Sequence, residues 1–243
     1  GIDLATACLP ISRQGYKDLY HVAINFEGYR KRLDELAATL ALRLQGETDP
    51  QGVVRVINDF FFRELGFVAS RTTENPKDLF LNSVLDRRRG HCLGLSILMI
   101  SVGQRIGLAL RGVAVPRHFF VRYEYAGGHI NIETTEQGKS HSDEEYVASY
   151  DVPESSSFYM KSIGRKGVLA CFLNNLAALY GRNGMADGAI WAAGAAVASY
   201  PDFADSHNNL ALAYLQKGLL DEAISECQMA LAIDSFLAEA HNN

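Results

Sequence analysis

The chain has 243 residues, of which 48% are hydrophobic and 21% charged, the composition of a globular protein with a substantial core. Its 28 acidic and 23 basic residues give a net charge of −5, which argues against a general nucleic-acid-binding protein. No apolar run reaches the roughly 20 residues needed to cross a bilayer, so no membrane-spanning segment is predicted.

The chain begins with Gly1 rather than methionine, so we expect it to be a piece of a longer protein. The sequence leaves its compartment, cytoplasmic or periplasmic, and its oligomeric state open. The four cysteines are widely separated and form no C-x-x-C pair, which favours free thiols over a disulfide framework or a structural zinc site. We predict no metal and no cofactor. These cysteines are Cys8, Cys92, Cys171 and Cys227.

The first hundred residues predict a series of helices. FEGYRKRLDELAATLALRLQG (26–46) has helical periodicity and a glycine stop. Asp49-Pro50 opens a second helix that runs to about Leu65, and Asn75-Pro76 opens a short third helix that ends at three arginines, 87–89. We expect these arginines to interact favourably with the negative, C-terminal end of that helix's dipole. The alternative is that they bind an anionic substrate. A fourth, apolar helix is predicted from Cys92 to Gly107.

The pattern changes after Pro116. HFFVRYEYAGGHINIETT (118–135) alternates, is rich in aromatic and β-branched residues, and contains Gly127-Gly128 between two runs, which predicts a β-hairpin. The polar segment from Ser140 to Ser157 is interpreted as a linker or surface loop. The fold class of the first part is therefore α+β, with helices first and sheet after.

The last part of the chain repeats itself with a period of 34 residues. ACFLNN (170–175), ADSHNN (204–209) and AEAHNN (238–243) align, and the register continues through the body of each unit. The matched pairs are Leu176 with Leu210, Ala177 with Ala211, Tyr180 with Tyr214, Gly184 with Gly218, Ala189 with Ala223, and Ala196 with Ala230. Cys171 and Cys227 are predicted to occupy small packing positions in the core of these repeats.

These spacings resemble the tetratricopeptide (TPR) repeat. The resemblance implies an all-α segment at 158–243, with repeats at about 170–203 and 204–237 and a third repeat cut after six residues. The asparagine pairs 174–175 and 208–209 either line a peptide-binding concave surface or are ordinary helix-surface residues. A protein or peptide partner is the expected ligand of such repeats.

Cys92 stands where the basic, glycine-broken stretch LDRRRG (85–90) becomes an apolar run. A cysteine in such a run is either a small buried hydrophobe or, at the start of a helix, a nucleophile. In the first turn, unpaired N–H groups and the helix dipole favour the thiolate, and the same N–H groups are able to stabilise an oxyanion. Asn82 is a further candidate oxyanion donor, and His91 is expected to face solvent.

Four segments resemble the transglutaminase-like superfamily of papain-related thiol enzymes: RRGHCLGLSIL (88–98), QRIGLALRGV (104–113), HFFVR (118–122) and NIETT (131–135). The resemblance implies such a fold at 1–157, with Cys92 as nucleophile, His118 as base and Glu133 as orienting acid. The family's usual acid is Asp, so Glu133 is a departure. Asn131 and His129 share the face of Glu133 by strand parity and are alternatives for the third role.

Strand parity limits how Glu133 meets His118. A four-residue hairpin loop, 124–127, would place the two residues directly opposite each other. A two-residue turn at 127–128 would pair Glu133 with Arg122 instead, and a three-residue loop would put Glu133 on the other face from His118. We therefore expect the first arrangement, or a bulge equivalent to it, if the three residues form a triad.

Two functions are consistent with the sequence. The first is a cysteine-dependent peptidase, amidase or acyltransferase that acts on amide bonds of a protein or peptide, with the TPR repeats recruiting a protein partner. The alternative is a catalytically inactive transglutaminase-like fold that serves as a TPR interaction scaffold. The reactivity of Cys92 distinguishes the two.

Overall fold

The structure, a computed structural model, describes residues 3–70, 75–153, 156–235 and 237. The chain divides into two compact units. The first comprises Gly1–Asp151 with Ser162–Gly164, and the second comprises Val152–Lys161 with Arg165–Asn243. Within the described residues, no helix is both long enough and apolar enough to cross a membrane.

The helices of the first unit begin where short polar side chains cap them. Asn25 accepts a hydrogen bond from the Gly28 N–H at the start of α2 (Phe26–Arg43), and Asp49 accepts one from the Gly52 N–H at the start of α3 (Pro50–Asn58). The helix predicted at 50–65 is present, but its last part is π-helical. The helices are α1 (Leu4–Tyr20), α2 (Phe26–Arg43), α3 (Pro50–Asn58), the π-helix Asp59–Glu64, α4 (Leu81–Arg87), α5 (Cys92–Arg105) and α6 (Asp143–Ser149).

The sheet of the first unit has four strands, in the order β5 (Gly128–Ile132), β4 (His118–Tyr125), β3 (Leu110–Val115) and β6 (Ser162–Ile163). All neighbours are antiparallel, and the predicted hairpin is β4 with β5. A separate parallel pair, β1 (Val68–Ala69) with β2 (Arg89–Gly90), leads into α5.

Helix α5 is the buried centre of the first unit. Every residue from Leu93 to Gly103 is buried, which is why the run is apolar on all sides rather than amphipathic. Helix α5 contacts α1, α2, α4, β3 and β4. The position of the first residue of this helix is therefore fixed by the packing of α5 in the core.

Glycine at position 94 lets the start of α5 approach the backbone of residue 78. A Cβ atom on Gly94 would lie 2.3 Å from the Asp78 carbonyl oxygen, a distance that real Cβ atoms do not show. The same carbonyl oxygen accepts a hydrogen bond from the His91 N–H at 3.2 Å. The glycine thus allows the contact that fixes the beginning of α5.

Substitution Gly94→Ala is expected to lower the free energy of unfolding by about 1–3 kcal/mol, because the backbone must shift to admit the methyl group. Denaturant unfolding followed by circular dichroism measures the change. Gly194→Ala is the control: a Cβ there meets nothing within 4 Å, and alanine is the better helix former, so no loss is expected. Equal stability of wild type and Gly94→Ala would contradict the role of this contact.

Two segments differ from the sequence prediction. The short helix predicted from Asn75-Pro76 is split into a 3₁₀ turn, Pro76–Asp78, and α4. The segment 140–157, predicted as a linker or loop, contains helix α6. That helix is stabilised by a capping box in which Ser142 and Glu145 satisfy each other's backbone N–H groups.

The second unit contains four helices among its described residues: α7 (Arg165–Arg182), α8 (Ala186–Ser199), α9 (Ala204–Lys217) and α10 (Leu220–Ile233). Consecutive helices pack on each other, and α7 also packs on α9. Gly184 and Gly218 both have positive φ between paired helices. The assignment of these helices to TPR repeats remains a prediction, and the truncated third repeat at 238–243 lies outside the described residues.

The two cysteines of the second unit have different environments. Cys171 is buried in α7, as expected, but Cys227 in α10 is only partly buried, so the prediction that it is a core residue was wrong. Burial and the nearby Glu226 carboxylate raise the pKa of the Cys227 thiol. Cys227 is therefore a partly exposed thiol that stays protonated at neutral pH.

Candidate functional site

Cys92 is the first residue of helix α5, and its side chain is partly exposed. The first N–H groups of a helix have no acceptor within the helix and carry the positive end of its dipole, so they favour a thiolate at this position. The imidazoles of His118 and His91 are close enough to the thiol to lower its pKa. Of the other three cysteines, Cys8 and Cys171 are buried, and Cys227 lies beside a carboxylate.

His118 begins strand β4 and bridges Cys92 to Glu133. Its Nε2 atom lies 2.7 Å from Oε2 of Glu133, which leaves Nδ1 as the nitrogen available to the Cys92 sulfur. Glu133 follows β5 and is 2% exposed. The structure therefore brings together the three residues that the sequence singled out.

The register of the hairpin differs from the one expected for this arrangement. Tyr125 pairs with Gly128, so the turn consists of residues 126–127, and Val121 pairs with Ile132. Continuing this register places Glu133 opposite Phe120, two residues along the strand from His118. Diagonal neighbours of this kind lie about 7–8 Å apart and are within reach of long side chains. The expectation that His118 and Glu133 must be directly opposite was wrong.

Proton affinities at the site are strongly shifted. Burial raises the pKa of the Cys92 thiol, but hydrogen bonds to His118 and His91 and the charges of both imidazoles outweigh burial and lower this pKa to about 6. Burial lowers the pKa of His118, but its hydrogen bonds and charge interactions with Cys92 and Glu133 raise it to about 10. Between these two values the pair is a thiolate and an imidazolium.

Glu133 is a buried carboxylate with several donors. Burial raises its pKa, but the His118 interaction and hydrogen bonds from the hydroxyl and N–H of Thr135 outweigh it and keep the pKa below its ordinary value. The Tyr146 hydroxyl donates a further hydrogen bond at 2.9 Å. The ionised carboxylate is thereby fixed in position next to His118.

Helix α6 covers the face of β4 that carries His118. The ring of Tyr150, the residue that ends α6, stacks on the His118 imidazole with centroids 4.8 Å apart. The Tyr146 ring stacks on Phe120 at 3.8 Å, and Asp143 binds the buried Arg122 at 2.6 Å. Three same-face residues of β4, namely His118, Phe120 and Arg122, thus each have a partner on α6 or at its end. The stacking of Tyr150 restricts rotation of the His118 ring.

The segment after β5 forms hydrogen bonds both with the start of α5 and with the Glu133 carboxylate. The Thr134 hydroxyl donates a hydrogen bond to the Cys92 carbonyl oxygen at 3.3 Å and lies 3.2 Å from the Ser96 hydroxyl. Thr135 binds Glu133. Residues 133–135 of the sequence NIETT therefore fix both the acid and the backbone of the nucleophile candidate.

The remaining candidates lie elsewhere. Asn82 contacts Tyr16 and lines a separate cavity of about 480 Å³ with residues of α1, α2 and α4. Asn131 binds Arg122 and Asp143, and His129 contacts Asp143, so neither occupies the third position beside His118. Arg87 forms an ion pair with the buried Asp78 carboxylate. His91, expected to face solvent, is partly exposed, and its Nδ1 atom accepts a hydrogen bond from the Gly94 N–H.

Sequence reasoning missed Tyr146 and Tyr150 because it interpreted their segment as a loop. One signal was present: Ser142 and Glu145 have the S-x-x-E spacing of a capping box, which predicts a helix start. Applied to SDEEYVASY, that rule would have placed both tyrosines on or just after a helix. It would not have placed that helix over His118.

Comparison with known proteins agrees with this fold. A family model described as transglutaminase-like superfamily matches residues 27–158. A UPF0162 protein of Xylella fastidiosa is 31% identical over 84 residues, which are 34% of this chain and 30% of that protein. A UPF0162 protein of Vibrio cholerae is 27% identical over 96 residues, 39% of this chain and 36% of that protein. The chain thus spans about a third of these curated relatives.

A solved structure is also similar. The fold is similar to that of menin, with a TM-score of 0.50 and 15% sequence identity. The crystal structure of menin is described as revealing the binding site for the Mixed Lineage Leukemia protein. The match covers 95% of this chain and 66% of menin. At this identity the likeness concerns the fold. Because the family model spans more than half of its residues, the chain belongs to the transglutaminase-like superfamily.

Proposed function

We propose that the protein is a cysteine-dependent acyl-transfer enzyme that acts on amide bonds of a protein or peptide. The observation that carries the proposal is the position of the His118 imidazole, which is hydrogen-bonded to the buried Glu133 carboxylate and is close enough to Cys92 to lower the pKa of its thiol. Membership of the superfamily supports a cysteine-enzyme fold. The roles of the three residues are part of the proposal.

The reaction would proceed in two halves. The Cys92 thiolate attacks the amide carbonyl carbon, and the oxyanion that forms is stabilised by N–H groups of the first turn of α5. The His118 imidazolium then gives its proton to the leaving amine, and a thioester remains. In the second half, His118 takes a proton from water or from an amine, which attacks the thioester and releases the sulfur. Glu133 orients the imidazole and stabilises its charged form.

The pH dependence of Cys92 alkylation tests the proposal. With iodoacetamide, the rate at Cys92 is expected to rise with pH to a midpoint near 6, because the thiolate forms there. Cys227 is the internal control: it is partly exposed but has a raised pKa, so at pH 6–7 it is expected to react far more slowly. Mass spectrometry of tryptic peptides separates the two sites.

Acyl transfer itself is tested with p-nitrophenyl acetate, an activated ester that acylates nucleophilic thiolates. A burst of p-nitrophenolate equal to the protein concentration is expected from the wild type and none from Cys92→Ser. An alkylation midpoint near 8.5, the value of an ordinary cysteine, together with no burst would reject the enzyme and favour the scaffold.

For residues 158–243 we propose TPR repeats that bind a protein partner. The 34-residue sequence period and the packing of α7 on α9 support this assignment. Equivalent alanines at 177 and 211, 189 and 223, and 196 and 230 are all buried, as a repeated helix contact requires. Menin, which shares the fold, is described as having a binding site for another protein. Without thiol chemistry, this partner binding would be the protein's function.

A further inference from the structure

A cavity of about 480 Å³ lies in the first unit between α1, α2 and α4. The described residues that line it do not include Cys92, His118 or Glu133, so the reaction proposed above does not use this cavity. Its volume falls within the range of about 300–1,000 Å³ that is usual for small-molecule sites. The cavity is therefore large enough to hold a ligand of its own.

Positive charge predominates in this cavity, although the chain as a whole carries a net charge of −5. The lining contains three cations and one carboxylate, namely Arg32, Lys77, Arg87 and Asp86. A second carboxylate, the buried Asp78, pairs with Arg87 but is not part of the lining. Three positive and two negative charges leave an excess of one positive charge at the cavity.

The excess charge belongs to Lys77. Both arginines of the lining are bound to a carboxylate. Lys77 is partly buried, and its ammonium group lies 4.9 Å from the centre of the Tyr20 ring, but it forms no ion pair with any residue that the structure describes. An ammonium group that is partly removed from water without a counter-charge costs free energy. An anion bound in the cavity would offset that cost.

Apolar and aromatic side chains form another part of the lining. Residues 22–24, Val-Ala-Ile, connect α1 to α2 and lie in it, and Val22 is 48% exposed. Tyr16 and Tyr29 add aromatic side chains from the two helices on either side of this segment. An exposed valine and two tyrosines in a cavity that also contains an unpaired cation suit a ligand with both an apolar body and a negative charge.

We propose that this cavity binds a small organic anion whose single negative charge lies beside Lys77 and whose flat, apolar body lies against residues 22–24 and the two tyrosines. The inference goes beyond the acyl-transfer function and does not depend on it. A singly charged ligand is favoured because the cavity has one positive charge in excess. A polyphosphate would bring several negative charges to a site where both arginines already have acidic partners.

Two probes that differ only in charge test the proposal. 1-Anilinonaphthalene-8-sulfonate carries one sulfonate on an aromatic body and fluoresces when it binds apolar surface. N-phenyl-1-naphthylamine has the same aromatic body and no charge. We expect fluorescence titration to give one site per chain for the sulfonate. In Lys77→Gln, the affinity for the sulfonate should fall about tenfold, because one charge-assisted contact is lost, and the affinity for the neutral probe should stay the same.

Three further variants define the site. Lys31→Gln is the matched control, because the Lys31 side chain is in α2, is 80% exposed and is not part of the lining, so no change in affinity is expected. Ala23→Trp places a large ring where a small residue lines the cavity, and both probes should bind about tenfold more weakly. Cys92→Ser should bind both probes as the wild type does.

Two results would overturn the inference. One is an affinity for the sulfonate that is the same in Lys77→Gln as in the wild type, or that falls only as much as the affinity for the neutral probe. The other is unchanged binding of both probes in Ala23→Trp, which would mean that they bind elsewhere on the protein. Neither result bears on the alkylation midpoint of Cys92 or on the p-nitrophenolate burst, so this inference and the proposed function fail separately.

Discussion

Replacing His118 with alanine is expected to lower the rate of acyl transfer through Cys92 by a factor of about 10²–10⁴, the usual contribution of a positioned general acid–base. His118 supplies both the proton acceptor and the charge that hold Cys92 as thiolate, so its loss raises the pKa of the thiol. The p-nitrophenyl acetate burst measures the effect. Because a thiolate of higher pKa is intrinsically more nucleophilic, alkylation at pH 6 should fall less, by about tenfold.

The matched control for this experiment is His129→Ala. His129 is in the same hairpin, on β5, but is exposed and contacts Asp143 rather than Cys92. Its removal should leave the burst and the alkylation midpoint near 6 unchanged. A burst in His118→Ala as fast as in the wild type would show that Cys92 does not depend on a strand-borne base, and the acid–base assignment would fail.

Local signals in the sequence were sufficient to predict the parts of the fold that follow from capping and periodicity. The Asp49-Pro50 pair does begin a helix, α2 ends before Gly46, and α5 begins at Cys92 and ends before Gly107. The hairpin was recognised because aromatic and β-branched residues alternate between turn residues. In each case, residues a few positions apart determine the structure.

Predictions failed where the deciding contacts join distant residues. Strand β3 was not identified, because a short buried strand beside an apolar helix carries little periodicity of its own. Helix α6 was taken for a loop because its few apolar residues, Tyr146 above all, are buried only through stacking on β4.

The register of the hairpin could be predicted in part from local sequence and in part only from the folded structure. Parity correctly indicated that a turn with an even number of residues puts His118 and Glu133 on one face. Parity did not indicate which turn with an even number of residues forms. In the observed turn, residues 126–127, Glu133 lies two residues along the strand from the position directly opposite His118. This offset gives a physical reason for Glu133 where the family usually has Asp, because the additional methylene lets the carboxylate span the diagonal and reach Nε2 at 2.7 Å.

Removing the Glu133 carboxylate should have the largest effect on stability. In Glu133→Ala, the Tyr146 hydroxyl, the Thr135 N–H and the His118 imidazole lose a common buried acceptor. Breaking a buried pair in this way costs about 3–5 kcal/mol, so denaturant unfolding should show a loss of that size. Glu136→Ala is the control, since that carboxylate lies three residues away and is 51% exposed.

The aspartate variant tests the register argument separately from the charge. Glu133→Asp keeps a buried carboxylate near Thr135 but shortens it by one methylene, so it should no longer reach His118 across the diagonal. We therefore expect the Cys92 alkylation midpoint to rise above 6 in Glu133→Asp, because the charged imidazolium loses its hydrogen-bond acceptor. An unchanged midpoint would mean that a carboxylate of either length serves, and the offset of the hairpin would then not explain why this chain carries glutamate.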